Sequence, residues 1–365
     1  MWCRDFRCLA DVDVGLAPGL TVLRGDNGQG KTSVLEAVGW IARARSFRGV
    51  PDTLLVRSGC DQAIVRAEVV TADREQLFEA EIRASGRNRI LCNKQAITRS
   101  RDRHGLLRVS VFAPDDLALV KDGPAERRAY LDEILVMLGA RYDAARTDYE
   151  RVLRQRNALL RGGIRDDART TLAVFDDQLV AAATELIRGR LRLVERMAPV
   201  IGAAYQALSD DPKPVAVRYE AEWTEAELDA DETPVIEDAL RAALERRRRA
   251  ETERGITLVG PHRDELRLGI GELEARTQAS QGEQRTLALA LRLGGHWVVT
   301  DVTETAPVLL LDDVFSELDA HRAAALVRNL PVGQTLVTTA GALPEGIHPE
   351  HRLSVRNGHV TEDAA

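Results

Sequence analysis

The apolar positions change rhythm several times along the chain. Near its start the short apolar run 20–23 ends in a glycine-rich segment, after which Val34, Leu35, Val38 and Ile41 recur at helical spacing. That order predicts strand, loop and helix. Between Ala63 and Leu91 alternation takes over, with strands at 64–70 and 77–82 and a turn at 85–88, the pattern of an antiparallel sheet. Leu131, Leu135, Leu138, Tyr142, Ala145, Tyr149, Val152, Arg156 and Leu159 then step by fours and threes, which predicts one long helix with a single stripe. Glycines 162 and 163 break it, and Leu172, Phe175, Leu179, Ala182, Leu186, Gly189 and Leu193 form a second stripe. The pair reads as an αα-hairpin, although two ordinary core helices give the same periodicity. Beyond Arg254 short strands return at 255–259 and 265–268, followed by a helix from Gln281, a buried strand at 308–311 and another at 335–339. No internal repeat or low-complexity tract interrupts this order.

Composition narrows the class. With 365 residues, 44% hydrophobic and 29% charged, the chain has room for roughly two domains and a full core, which argues against wholesale disorder. No apolar run approaches the ~18 residues of a membrane span, and the charged start (Arg4, Asp5, Arg7) does not read as a signal peptide. The expected location is therefore the cytoplasm, with no membrane partner. Cys3, Cys8, Cys60 and Cys92 have neither metal-ligand spacing nor the pattern of a disulfide framework. The net charge of -7 speaks against a nucleic-acid partner only until its location is noted. Residues 219–240 hold nine acids and no base, so the remainder carries +2, and local basic faces decide phosphate binding. Pro212, Pro214 and this acidic stretch predict an exposed loop or lobe boundary. Only Lys31, Lys94, Lys121 and Lys213 among the 50 basic residues are lysines, an arginine dominance that reads as compositional bias.

The chemistry is concentrated in three segments. Gly25, Asp26, Asn27, Gly28, Gln29, Gly30, Lys31, Thr32 and Ser33 make a complete phosphate-binding loop between a strand and a helix. Its glycines let backbone N–H groups turn inward around phosphate oxygens, and the helix N-terminus adds its positive end. Lys31 is expected on the β- and γ-phosphates of ATP and the Thr32 hydroxyl in the Mg²⁺ shell. The apolar run 308–311 followed by Asp312 and Asp313 fits a strand buried on both faces whose carboxylates emerge beside that loop. Asp312 is assigned to Mg²⁺, and Asp313 to orienting or deprotonating the attacking water, with Lys31 as the other catalytic group. Ser280, Gln281, Gly282 and Glu283 open a helix with a good N-cap, a turn able to face an anion.

The order of phosphate loop, Ser-x-Gly-Glu turn, four apolar residues with two aspartates, and then Ser316 to Asp319 is that of an ABC-type ATPase head. In that class the signature turn of one subunit closes over the nucleotide held by its partner. More specifically, the chain resembles the RecF family, bacterial recombination-mediator ATPases related to SMC proteins. The likeness is carried by Asp5-Phe6-Arg7, Gly28 to Ser33, Ala44 to Arg48, Val111 to Leu117, Gly123 to Asp132, Val259 to Asp264, Ser280 to Glu283 and Leu311 to Asp319. Only four residues precede Asp5, where the family has a full first strand, so the sequence reading expects a truncated or misassigned start. No glutamine stands where ABC heads place their Q-loop, the nearest candidate segment being 112–116. Thr338 and Thr339 stand where transporters put a switch histidine, and the long insert also weakens the alternative of a transporter motor subunit.

The resemblance implies an α/β fold: a P-loop ABC-type head with an antiparallel β-subdomain and an inserted α-helical hairpin lobe. Its expected divisions are 1–120, the first part of the head; 121–250, the arm lobe; and 251–365, the rest of the head with signature and Walker B segments. It further implies a homodimer that closes on ATP and Mg²⁺, binds duplex DNA near single-strand gaps, works with RecO and RecR to load RecA, and hydrolyses ATP slowly. The candidate DNA contacts are Arg43, Arg45 and Arg48 after the nucleotide helix, Arg99, Arg101 and Arg103 in a predicted loop, and Arg127 and Arg128 at the start of the arm. Solvated surface charge is the competing account of each. Arg246 to Arg249 read as an exposed helix face, and His262, Arg263 and Asp264 as either a hydrogen-bonded corner or an interface.

Overall fold

The computed structural model describes residues 1–71, 74–98, 105–162, 168–211 and 213–363. Two compact units emerge: Met1–Asp116 with Ala207–Asp210 and Leu289–Ala365, and Leu117–Gln206 with Asp211–Ala288.

The first unit holds two six-stranded sheets. One runs β2-β1-β4-β5-β6-β7, built from β1 (Trp2–Phe6), β2 (Leu9–Asp13), β4 (Gln62–Thr71), β5 (Arg74–Arg83), β6 (Arg89–Cys92) and β7 (Gln95–Ala96), every pair antiparallel. The other runs β15-β14-β3-β13-β12-β8, from β3 (Leu20–Arg24), β8 (Val109–Phe112), β12 (Val308–Leu311), β13 (Thr335–Thr339), β14 (His351–Arg356) and β15 (His359–Glu362). All its pairs are parallel except the β14–β15 hairpin. Helix α1 (Lys31–Arg43) follows β3 directly; it buries Val34, Leu35, Val38, Trp40 and Ile41 in one core with Phe6, Leu9, Val65, Phe78 and Ile82. Each such aliphatic side chain contributes about 2 kcal/mol of burial. Ala44, at φ +51, ends the helix by returning its N–H to the Trp40 carbonyl, and Arg43 in the last turn suits the negative end of the dipole. Trp2 to Phe6 form a strand paired with β2 and β4, and the motif Asp5-Phe6-Arg7 lies at its end.

The second unit contains α2 (Ala118–Lys121), α3 (Pro124–Leu138), α4 (Ala140–Arg161), the greater part of α5 (Ala168–Leu208), α6 (Thr233–Arg254) and a sheet in the order β11-β10-β9. Its strands are β9 (Val215–Glu220), β10 (Glu265–Ile270) and β11 (Leu273–Glu274). Helix α7 (Gln281–Thr303) starts here and α8 (Ala320–Arg328) lies in the first unit.

Three expectations are corrected. The stripe expected on one long helix is divided at Gly139, which is extended between α3 and α4; periodicity survives the break because both helices bury the same kind of face. Arg156 of α4 meets Asp176 of α5, Tyr142 faces Gly189, and Asp132 of α3 meets Arg190, so α5 runs back antiparallel as the hairpin reading required. The strand expected at 255–259 does not form. Side chains take its backbone groups instead: Asn157 accepts from Thr257 N–H and Glu251 from Leu258 N–H, each at 2.7 Å. The acidic stretch is not a single loop; Tyr219 and Glu220 belong to β9, and α6 begins at Thr233.

Candidate functional site

Strand β3 delivers Gly25 to Gly30 to the N-terminus of α1. Gly28 (φ +79) and Gly30 (φ +109) occupy the left-handed region that side-chain-bearing residues avoid. Space forbids a side chain at Gly30 as well: a Cβ there would lie 2.8 Å from Cys8 Sγ. The outer edge of the loop is fastened to the β14–β15 turn, where Asn357 N–H donates to Gln29 Oε1 at 2.6 Å and Gly358 N–H to the Gln29 carbonyl at 2.9 Å. Lys31, only 6% exposed, donates its ammonium to the carbonyls of Gly25 (2.6 Å) and Asp26 (2.9 Å). The cation is thus held at the mouth of the loop by groups that lose little on exchange for a stronger anionic acceptor.

Strand β12 brings the two aspartates to this loop. Asp312 is 7% exposed, and its Oδ1 accepts from Thr32 Oγ1 and Thr338 Oγ1, both at 2.8 Å. Burial pushes its carboxyl above the ordinary aspartate range, while the two hydroxyls and the Arg48 charge pull it back. Asp313 N–H donates to Thr338 Oγ1 at 2.9 Å, and Asp313 adopts φ +49. Its Oδ1 is buried and receives no hydrogen bond. Thr338 therefore ties both aspartates to β13, a linking role that its place in the sequence did not announce.

Sequence reasoning also missed Glu36. This carboxylate on α1 is fully buried and paired with Arg7 through two bonds (2.9 and 3.0 Å), while Ser46 Oγ donates to it. The segments Asp5 to Arg7 and Ala44 to Arg48 thereby converge on the back of the nucleotide helix. The other missed support, Asn357-Gly358, does carry a signal, because that dipeptide is the strongest short hairpin marker.

In the second unit the signature turn is a reciprocal cap. Ser280 N–H and Oγ–H both donate to Glu283 Oε2 at 2.8 Å, and Glu283 N–H returns to Ser280 Oγ at 3.3 Å. The Lys213 ammonium, 2.8 Å from Glu283 Oε1, is the main reason that carboxyl falls to about 2, with the Ser280 bonds next. Ser280 and Gln281 are exposed and Gly282 is half-buried.

The candidate DNA contacts divide. Arg45 and Arg48 are exposed and Arg43 half-buried. Arg127 is corrected: it is 4% exposed, forks onto Glu265 at 2.8 Å twice, and donates to the carbonyls of Leu119 and Asp122, which leaves no face for a phosphate. Arg128 is half-buried and gives one donor to the Asp264 carbonyl. Arg99, Arg101 and Arg103 lie outside the described residues. His262 and Asp264 form a hydrogen-bonded corner: Tyr149 bonds His262 Nδ1, and Tyr219 and Trp223 donate to Asp264. In the nearest Q-loop candidate, Asp116 is bound by Arg292 at 2.6 Å. No helix among the described residues is long and apolar enough to cross a membrane.

A phosphate loop on a largely parallel sheet, two aspartates at the end of a buried strand separated from the loop's own strand by β13 and an antiparallel β-subdomain define an ABC-type ATPase head, and the RecF/RecN/SMC N-terminal domain family matches residues 1–340. The chain is 40% identical to the DNA replication and repair protein RecF of Beutenbergia cavernae, over 98% of this chain and 97% of that one. Against the protein of the same name from Streptomyces avermitilis the identity is 41%, again over 98% and 97%. The solved structure of the recombination mediator protein RecF-ATP in the RecFOR pathway superposes with a TM-score of 0.90 at 27% identity, covering 100% of this chain and 96% of that chain. The chain belongs to the RecF family.

Proposed function

We propose that this protein is an ATP-dependent, DNA-binding recombination mediator of DNA repair and replication-fork maintenance, working as a homodimer that closes on ATP. The observation that carries the reading is the joining of Thr32 to Asp312 across 280 positions of sequence, with Lys31 poised beside them. Nucleotide phosphates sit in the Gly25 to Ser33 loop, and Lys31 exchanges the carbonyls of Gly25 and Asp26 for phosphoryl oxygens. Thr32 Oγ1 and Asp312 Oδ1 are two hard oxygen donors 2.8 Å apart, and no cluster of three or more metal-ligating side chains lies among the described residues. That donor set fits Mg²⁺, which characteristically takes one or two protein oxygens and completes its shell with phosphates and water. When bound, Mg²⁺ neutralises charge developing on the phosphoryl oxygens. Asp313, with a buried and unbonded Oδ1, orients or deprotonates the attacking water.

In the same reading the turn Ser280 to Glu283 of one copy, exposed at Ser280 and Gln281, completes the pocket of the other, so hydrolysis is slow until two heads meet. Residues 121–250 serve as an arm lobe inserted in the head. Duplex DNA near single-strand gaps is engaged through exposed arginines such as Arg45 and Arg48, and RecO and RecR act with the protein to load RecA. The names of the relatives and of the solved RecF-ATP structure support this assignment.

Size-exclusion chromatography with light scattering tests it. Asp313→Asn, which keeps the loop and slows water attack, is expected to accumulate as a dimer in saturating ATP and Mg²⁺. An Asp313→Asn protein that binds ATP yet stays monomeric refutes the reading.

A further inference from the structure

The signature turn is held by two side chains pulling in different directions. Gln284 Nε2 donates inward to the carbonyls of Ala275 (2.9 Å) and Arg276 (3.0 Å), anchoring the first turn of α7 to the segment after β11. Glu283 points to the opposite partner: one carboxylate oxygen takes both Ser280 donors and the other takes Lys213, which precedes β9 and has Asp211 at 3.3 Å as a second neighbour. The Ser280 hydroxyl proton is therefore spent on a carboxylate inside its own chain.

That arrangement poses an electrostatic problem for any anion approaching the turn. To donate to a phosphoryl oxygen, the Ser280 hydroxyl must leave Glu283 Oε2, and a carboxylate deprived of one donor then faces a phosphate. Like charges so placed repel, and a partly exposed site lessens but does not cancel the repulsion. Lys213 offsets that charge. Its ammonium is 2.8 Å from the oxygen that the serine does not use, so the compensation persists while the hydroxyl turns away. Lysine is scarce in this chain, with arginine chosen almost everywhere else; a compact ammonium suits a point charge, whereas an arginine fork would compete for both carboxylate oxygens and displace the serine.

We infer that Lys213 is a positioning residue for ATP-dependent dimerisation, neutralising Glu283 so that the Ser280 hydroxyl can transfer from its own chain to the terminal phosphate held by the partner copy. This rests on the proposed nucleotide-sandwich dimer and adds the charge that makes its signature turn anion-compatible.

Two measurements on the full chain separate the possibilities. The first is binding of a fluorescent ATP analogue at protein concentrations too low for dimers, a property of the phosphate loop. The second is the dimer dissociation constant in saturating ATP and Mg²⁺, by analytical ultracentrifugation at low and high NaCl. Lys213→Gln is expected to bind the analogue like the parent but to dimerise about tenfold more weakly, with the deficit shrinking as salt rises. Adding Glu283→Gln restores dimerisation to within about threefold, because glutamine keeps the cap while removing the charge Lys213 offsets. Lys213→Arg is expected to restore less, through its competing fork. A parent that dimerises while Lys213→Gln dimerises equally well, or a double variant as weak as the single, overturns the role of Lys213 alone. A parent that binds the analogue but never dimerises overturns the sandwich and the role of Lys213 together.

Discussion

Thr338→Val removes one oxygen atom and tests how the paired aspartates are held. Valine keeps the branched shape at a fully buried position, so the packing change is small. Two hydrogen bonds disappear: the 2.8 Å donation to Asp312 and the 2.9 Å acceptance from Asp313 N–H. A bond to a charged acceptor contributes about 1.5–3 kcal/mol, and a donor left unsatisfied costs about 1–3 kcal/mol, less where water reaches it. Asp313 N–H is part-buried, so the expected local loss is about 3 kcal/mol. Native-state hydrogen exchange of the amides of Leu336 and Val337 on β13 reads that loss directly, where a melt of the whole two-unit chain would not. Chemistry should change in parallel. Asp312 loses one of the two hydroxyls that hold its carboxyl down, so the acidic limb of ATP turnover moves to higher pH, and turnover falls as Asp313 loses its backbone tether. Thr338→Ser, which retains the hydroxyl, should stay within about 1 kcal/mol of the parent. If Thr338→Val exchanges within ~0.5 kcal/mol of the parent and turns over ATP with an unshifted pH profile, the two bonds do not do what their geometry says.

Arg127→Ala leaves Glu265 buried without its partner and should cost about 3–5 kcal/mol of stability in the second unit, while DNA affinity of the folded protein, measured by fluorescence anisotropy at fixed salt, stays unchanged. A selective loss of DNA binding with intact stability would reinstate Arg127 as a contact. His296 is 2% exposed with neither ring nitrogen hydrogen-bonded, and burial lowers it from 6.5 to about 4. Stability is therefore full above pH 6.5 and lost as the pH falls towards 4, by about 2 kcal/mol at pH 5. His296→Leu should flatten the loss between pH 7.5 and pH 5 by that amount in guanidinium titrations; parallel curves for the two proteins would refute it. His262, also lowered to about 4, and Asp264, raised to about 6, act in the same range with opposite signs, but both remain in the variant and cancel from the comparison.

What the sequence determined by itself is local. Nine contiguous residues from Gly25 to Ser33 specify a strand-to-helix turn because glycine alone relieves the φ values at 28 and 30, and the Ser280 to Glu283 cap closes within a single turn of helix. The run 308–311 with its two acids was legible for the same reason: burial on both faces of a strand leaves an apolar block with no alternation. Only the tertiary structure decided which charges are surface and which are partners. Arg127 and Arg45 are both arginines near candidate basic segments; one is sealed against Glu265, 138 positions away, and the other is exposed. Glu36 meets Arg7, Thr338 bridges two aspartates, and Gly139 divides a stripe that periodicity draws as continuous. A side chain's type fixes what it can bond to, but its partner is set by chain closure over tens to hundreds of residues, and no local pattern records that distance.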